Sequence, residues 1–163
     1  MNVGAVGWQV EVFTSYQVVS GEMQVRGRFQ QHLNDAEPYV TIRGVATVPL
    51  LAGAPRLQSI AEGLLNKAAI CAVRTVEAEP PHPDELPDLV RRFVYFQGMG
   101  FTAKGSAEFP AAADPTLHRE MLFKARFFPL VEATVSVIGA DAPPMSWPLA
   151  YVNRDLMVGI YLA

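Results

Sequence analysis

Three short patterns occur in the first half of this chain and return, in the same order, in the second. Val25-Arg26-Gly27 is matched by Ala103-Lys104-Gly105, each set in an alternating apolar run: Met23, Val25 and Phe29 in the first, Phe101, Ala103, Ala107 and Phe109 in the second. The stretch from Leu33-Asn34-Asp35 to Val48 parallels that from Leu122 to Val137, each a short connection that ends in a β-branched strand. Asn66-Lys67, leading to Val73, parallels Asn153-Arg154, leading to Ile160. The separations are 78 (105 − 27), 89 (122 − 33) and 87 (153 − 66) residues, so the order is kept with one insertion near Pro110 to Met121 and one small deletion. Patterns that repeat in order at a near-constant spacing point to an internal duplication.

The segment between the copies, residues 78–88, is dense in proline and acid, and proline cannot donate to a strand ladder, so this is the connector. The expected organisation is a first β repeat unit at 1–77, the connector at 78–88, and a second β repeat unit at 89–163. Each copy reads as four or five short strands with glycine at bends. The expected fold is mainly β: two tandem, internally duplicated small barrel-like units with few short helices. Helical spacing of apolar residues is confined to Leu57–Leu65 and to Asp84–Arg92.

Half of the 163 residues are hydrophobic, enough to build a core without staples, and the single cysteine rules out an intramolecular disulfide. Met1 to Val6 has no basic stretch followed by a sustained apolar run, and no segment approaches the roughly 20 apolar residues that span a bilayer. A cytoplasmic protein with no membrane partner is expected. The net charge of −3 supplies no overall basic field for phosphate backbones or anionic lipid. Only 18% of residues are charged, against roughly 25% in an average soluble domain, which favours a surface partly given over to a protein partner or a homo-oligomer.

Residues with reactive or ligating chemistry are scattered. His32, His82 and His118 lack partners at ligand spacing, so no metal site and no cofactor is implied. Cys71 lies between Ile70 and Ala72 with no cation to activate it, and reads as core. Ser146 stands between Pro144 and Pro148 in what reads as a rigid loop, not a nucleophile elbow. Gly98-Met99-Gly100 reads as a hairpin, because no helix follows to make a phosphate loop. No catalytic residue emerges.

Two groups of residues are candidates for binding. If Arg26 corresponds to Lys104 and Lys67 to Arg154, the copies carry two equivalent basic loci that could hold a phosphate or a nucleic acid strand. The last strand is apolar on both faces, with Leu156, Val158, Ile160 and Leu162 on one and Met157, Gly159 and Tyr161 on the other. The second face, with small Gly159 where the first copy has Ala72, is a candidate interface.

The second copy resembles an uncharacterised bacterial domain family of unknown function, through Phe128-Pro129-Leu130-Val131-Glu132-Ala133-Thr134-Val135 and Val152-Asn153-Arg154. The first copy keeps Leu33-Asn34-Asp35 and Asn66-Lys67, with Val40-Thr41 in place of Pro-Leu. The strand order, with a final apolar strand after an Asn-basic turn, also resembles in part the Sm-like small β-barrels, a fold of ring-forming RNA-binding proteins. The opening helix and the Asp and Asn pair of that fold are not evident at Met1 to Gln9 or around Asn34, so no RNA-contacting residue carries over. The expected function is a non-catalytic binding or assembly module, a homo-oligomer or a subunit of a larger complex. Nucleic-acid binding through the basic loci is the alternative, and an enzyme of unidentified class comes third.

Overall fold

A computed structural model describes residues 4–77 and 88–163. Among these residues, alternating apolar residues and glycine-bent hairpins produce ten antiparallel strands in a single unclosed sheet, with two five-residue helices. The first half contributes β1 (Val6–Phe13), β2 (Gln17–Val25), helix α1 (Phe29–Leu33), β3 (Tyr39–Pro49), β4 (Ile60–Asn66) and β5 (Ala72–Thr75). The second contributes β6 (Leu89–Gly98), β7 (Phe101–Pro110), helix α2 (His118–Leu122), β8 (Phe127–Val137), β9 (Met145–Asn153) and β10 (Met157–Leu162). The mainly β class expected from the sequence is what the chain adopts. The halves are not two separate closed barrels, because β5 and β9 pair and join all ten strands in the order β10-β6-β7-β8-β9-β5-β1-β2-β3-β4. The connector expected at 78–88 lies, apart from Asp88, outside the described residues.

Within that order each half runs fifth, first, second, third, fourth strand. The registers agree as well. Ser20 and Glu22 pair with Ala46 and Arg43, leaving Gly21 opposite two residues, Gly44 and Val45. Lys104 and Ser106 pair with Thr134 and Val131, leaving Gly105 opposite Glu132 and Ala133. Two residues facing one is a β-bulge. Gly44 and Glu132, the first bulged residues, both take positive φ, 62° and 51°.

Glycine is needed at the single opposing position because the bulged strand comes close. A Cβ on Gly21 would lie 2.7 Å from the Arg43 carbonyl oxygen, and one on Gly105 would lie 2.9 Å from that of Val131. Gly105 therefore corresponds to Gly21, 84 residues apart (105 − 21). The match of Val25-Arg26-Gly27 with Ala103-Lys104-Gly105 was displaced by six residues, because two glycines in similar strands look alike until their ladder partners are known.

Three other expectations change. Leu57–Leu65 is not a helix: Ile60 onward is β4, which pairs with β3 along its length, with Leu65 packed on the core and Leu64 turned outward. Leu89 to Arg92 opens β6, so the described part of Asp84–Arg92 is extended. The proline-flanked Met145-Ser146-Trp147 is the start of β9, not a loop. Pro148 is accommodated there because it lies opposite bulged Glu132, between the paired positions 147 and 149.

The core is in two parts, and each borrows from the other half. The first contains Val10, Val12, Met23, Phe29, Leu33, Ile42 and Val73, together with Phe127 and Tyr151 from β8 and β9. The second contains Phe96, Phe101, Phe109, Phe128, Leu130 and Trp147, together with Phe13, Val18, Cys71 and Ala72 from the first half.

Candidate interaction surface

The junction between the halves sets the pattern for the surface that remains open. Ala72 pairs with Val152 and Val73 with Tyr151. Next to them Asn153, wholly buried, is the centre of the join. Its backbone N–H donates to the Cys71 carbonyl at 3.0 Å, and its Nδ2 donates to the carbonyls of Lys67 (3.1 Å) and Ile70 (2.9 Å). Asn34 adds a second clasp: its Oδ1 accepts from Phe127 N–H at 2.7 Å and its Nδ2 donates to Phe127 carbonyl at 3.1 Å, as a neighbouring strand would.

Each Asn-basic turn is a structural device. Asn66 and Asn153 cap single 3-10 turns, accepting from the N–H of Ala68 (2.9 Å) and of Asp155 (3.0 Å). The cations that follow reach back to the chain just behind each short helix. Lys67, fully buried, donates from Nζ to Asp35 Oδ1 at 2.7 Å and to the carbonyls of His32 and Asp35. Arg154 donates to the Phe123 carbonyl and lies 3.3 Å from Asp155, while Arg126 pairs with the same Asp155 carboxylate at 2.9 Å. Burial of Asp35 opposes its ionisation, but the hydrogen bond from Lys67, the backbone N–H of Glu37 and the charge of Lys67 together outweigh this and hold the carboxyl below its ordinary range. His32 is held below its ordinary value chiefly by burial, against the attraction of Asp35.

The four proposed phosphate-binding cations are thus not brought together as two equivalent loci. Lys67 and Arg154 do occupy corresponding positions, but both are engaged by protein groups. Arg26 is exposed just beyond β2, beside a surface groove lined by His32, Asp35, Tyr39, Arg43 and Glu62. Lys104 is exposed in mid-β7 at the register position of Ser20, not of Arg26. Cys71 is buried at the junction, and burial pushes its thiol up to about 12, which leaves no thiolate for nucleophilic work. Among the described residues no group of three or more histidine, cysteine or acidic side chains converges as metal ligands would. No described helix is long and apolar enough to cross a membrane.

The sheet ends in two open edges, β4 and β10. Met157–Leu162 contains no charge and no proline, the residues that normally blunt an exposed edge. A register shift between Met157 and Gly159 turns Val158 out of the core face on which strict alternation had placed it, and it is 68% exposed. Ile160 and Leu162 do pack on the second core. Met157 and Tyr161 face solvent, Tyr161 at 60% exposure with its ring 6.2 Å from that of Tyr95, and Gly159 is half-buried. On the other edge Leu64 is 65% exposed and Ile60 is also exposed. Composition did not single out β4, since an edge strand with one half-buried face has no regular alternation to read.

No family model matches this chain, and neither a curated protein nor a solved structure does.

Proposed function

We propose that the protein is a non-catalytic assembly module that binds by pairing the open edges of its sheet, and that its two halves descend from one duplicated five-stranded unit. The observation that carries the reading is the uncharged, apolar β10 edge, with Met157, Val158 and Tyr161 in solvent and backbone donors and acceptors unpaired along one side. Such an edge is a template for another strand. The duplication is supported by the shared strand order, by the matched bulges at Gly21 and Gly105, and by the positive φ at Gly44 and Glu132.

Gly159→Glu tests the reading. The nearest atoms to a Cβ there are Gln97 Oε1 and Tyr161 Oη, both at 3.3 Å and both the ends of flexible side chains that can shift by the few tenths of an ångström required, so the fold accommodates the change, while the glutamate puts a charge beside the edge. Light scattering should find the unaltered chain in an assembly and the variant as a folded monomer. An assembly that persists unchanged in Gly159→Glu would refute the reading, and an unaltered chain that stays monomeric at the highest attainable concentration would exclude self-association by this edge.

A further inference from the structure

The junction inside the chain specifies what fits the two edges outside it. The registers superpose position by position. Gly159 pairs with Gln97 as Ala72 pairs with Phe13, and Ile160 with Phe96 as Val73 with Val12. Asn66 pairs with Tyr39 as Asn153 with Phe127, Leu65 with Val40 as Val152 with Phe128, and Leu64 with Thr41 as Tyr151 with Pro129. The β10 edge is therefore the counterpart of the β5 edge, and β4 is the counterpart of β9. Inside the chain, β5 and β9 are joined. The counterparts β10 and β4 are the two edges left open.

Exposure follows the same division. Cys71 and Tyr151 are buried at the internal join, whereas their counterparts Val158 and Leu64 are among the most exposed apolar side chains of the described residues. Asn153 is wholly buried and its Nδ2 makes two hydrogen bonds across the join. Asn66 makes the same cap to its own turn but is exposed, and its Nδ2 has no partner among the described residues. Leaving these groups in water on both edges, while the same positions are filled inside the chain, is what an unmet partner surface looks like.

We infer that the partner of each edge is a second copy of this chain, bound head to tail, with β10 of one copy against β4 of the next in the register of the internal β5 and β9 join. This rests on the edge-pairing reading above and names its partner. Gly159 of one copy then faces Leu65 of the next, and Ile160 faces Leu64. Asn66 of the second copy donates from its backbone N–H to the Val158 carbonyl of the first, and from Nδ2 to the carbonyls of Arg154 and Met157. The contact is heterologous, two different surfaces meeting, so every added copy presents a free edge of each kind until the series closes. The Asn34 clasp on Phe127 has no counterpart, since Phe123 follows α2 where Asn34 follows α1, so the contact between chains is weaker than the one within the chain.

Complementation between two edge variants tests this, because the contact has two unlike sides. Leu64→Lys disables the β4 edge and Val158→Lys disables β10. Both side chains are already in solvent, so each variant should keep the circular dichroism of the unaltered chain and melt cooperatively, at a temperature lowered only by the lost association. By native mass spectrometry each variant alone should be a 17.8 kDa monomer, and an equimolar mixture should form a discrete pair of chains. Asn66→Ala should weaken the assembly about tenfold or more, from loss of two hydrogen bonds. If the unaltered chain assembles but the mixed variants stay monomeric, or either variant alone still assembles, the head-to-tail register is wrong while edge pairing survives. If the unaltered chain is monomeric, a second copy is not the partner and this inference falls.

Discussion

At the scale of single residues, the most consequential group is the buried Lys67 with Asp35 and His32 around it. A cation with no solvent exposure is stable only while its partners hold, and Asp35 supplies both a carboxylate and a backbone carbonyl. The titrations of the two partners follow from that geometry. Both groups are depressed in the folded chain, so each contributes stability that is complete above its unfolded value and is lost as pH falls. The unfolded chain binds the proton more tightly, so acid favours unfolding. The protein should weaken first below the ordinary histidine value of 6.5, through His32, and again below 3.8, through Asp35. Asp35→Asn should cost roughly 1–3 kcal/mol at neutral pH, less than for a fully sealed pair because the carboxylate is partly open to water. It should also flatten the lower step. Urea unfolding between pH 3 and 8 is the measurement, and an unchanged acid profile in Asp35→Asn would remove the pair from the account.

At the scale of elements, the paired bulges explain residues that look incidental in the sequence. Gly105 faces backbone at 2.9 Å, so Gly105→Ala should cost about 1–3 kcal/mol through overpacking against a strand that cannot yield. Glu132 shows the opposite case, an ordinary residue at φ 51° where the first half has Gly44. The left-handed conformation costs a side-chain-bearing residue about 1–2 kcal/mol, and glycine loses about 0.5–1 kcal/mol of chain entropy in return. Glu132→Gly should therefore stabilise by about 0.5–1 kcal/mol, readable as a raised melting temperature. These same positions mark how far the sequence could be read. The β class, the hairpin at Gly98 to Gly100 and the correspondence of Asn66 with Asn153 were legible, because alternation and turn chemistry are local. The partner of Gly105 was not, since a bulge is defined by the strand opposite it. β4 and the start of β9 were missed for a related reason: the residue types of Ile60–Asn66 do not alternate although their burial does, and Pro148 sits in β9 at the bulge, where the ladder skips a pair. Of the candidate site, the exposed face of β10 was visible as an apolar run without charge. The surroundings of the basic residues were not legible, because burial of Lys67 cannot be seen in a basic residue following asparagine.

For the whole molecule, the decisive feature is that neither part of the core is built from one half. Phe127 and Tyr151 complete the first part, with Tyr151 at 5.3 Å from the Phe29 ring, and Phe13 packs edge-on against Trp147 at 6.0 Å in the second. Halves that share a core should melt together in one cooperative transition. Cys71, buried where the halves meet, reports on that transition: its alkylation should be negligible in the native state and should rise with the same midpoint as the loss of circular dichroism. Reaction at a lower denaturant concentration would show the halves parting before either unfolds.

The borrowed residues also bear on how the chain is made. When Thr75 leaves the ribosome the residues of the first five strands are all present, but Tyr151 is still 76 residues away (151 − 75). At about 5–20 residues per second the delay is roughly 4–15 s. Throughout that interval the nascent first half holds Phe29 without its Tyr151 neighbour, and the β5 side that β9 will cover stands open. The period of greatest vulnerability to off-pathway contact, and of greatest need for a chaperone, falls between the synthesis of β5 and that of β9.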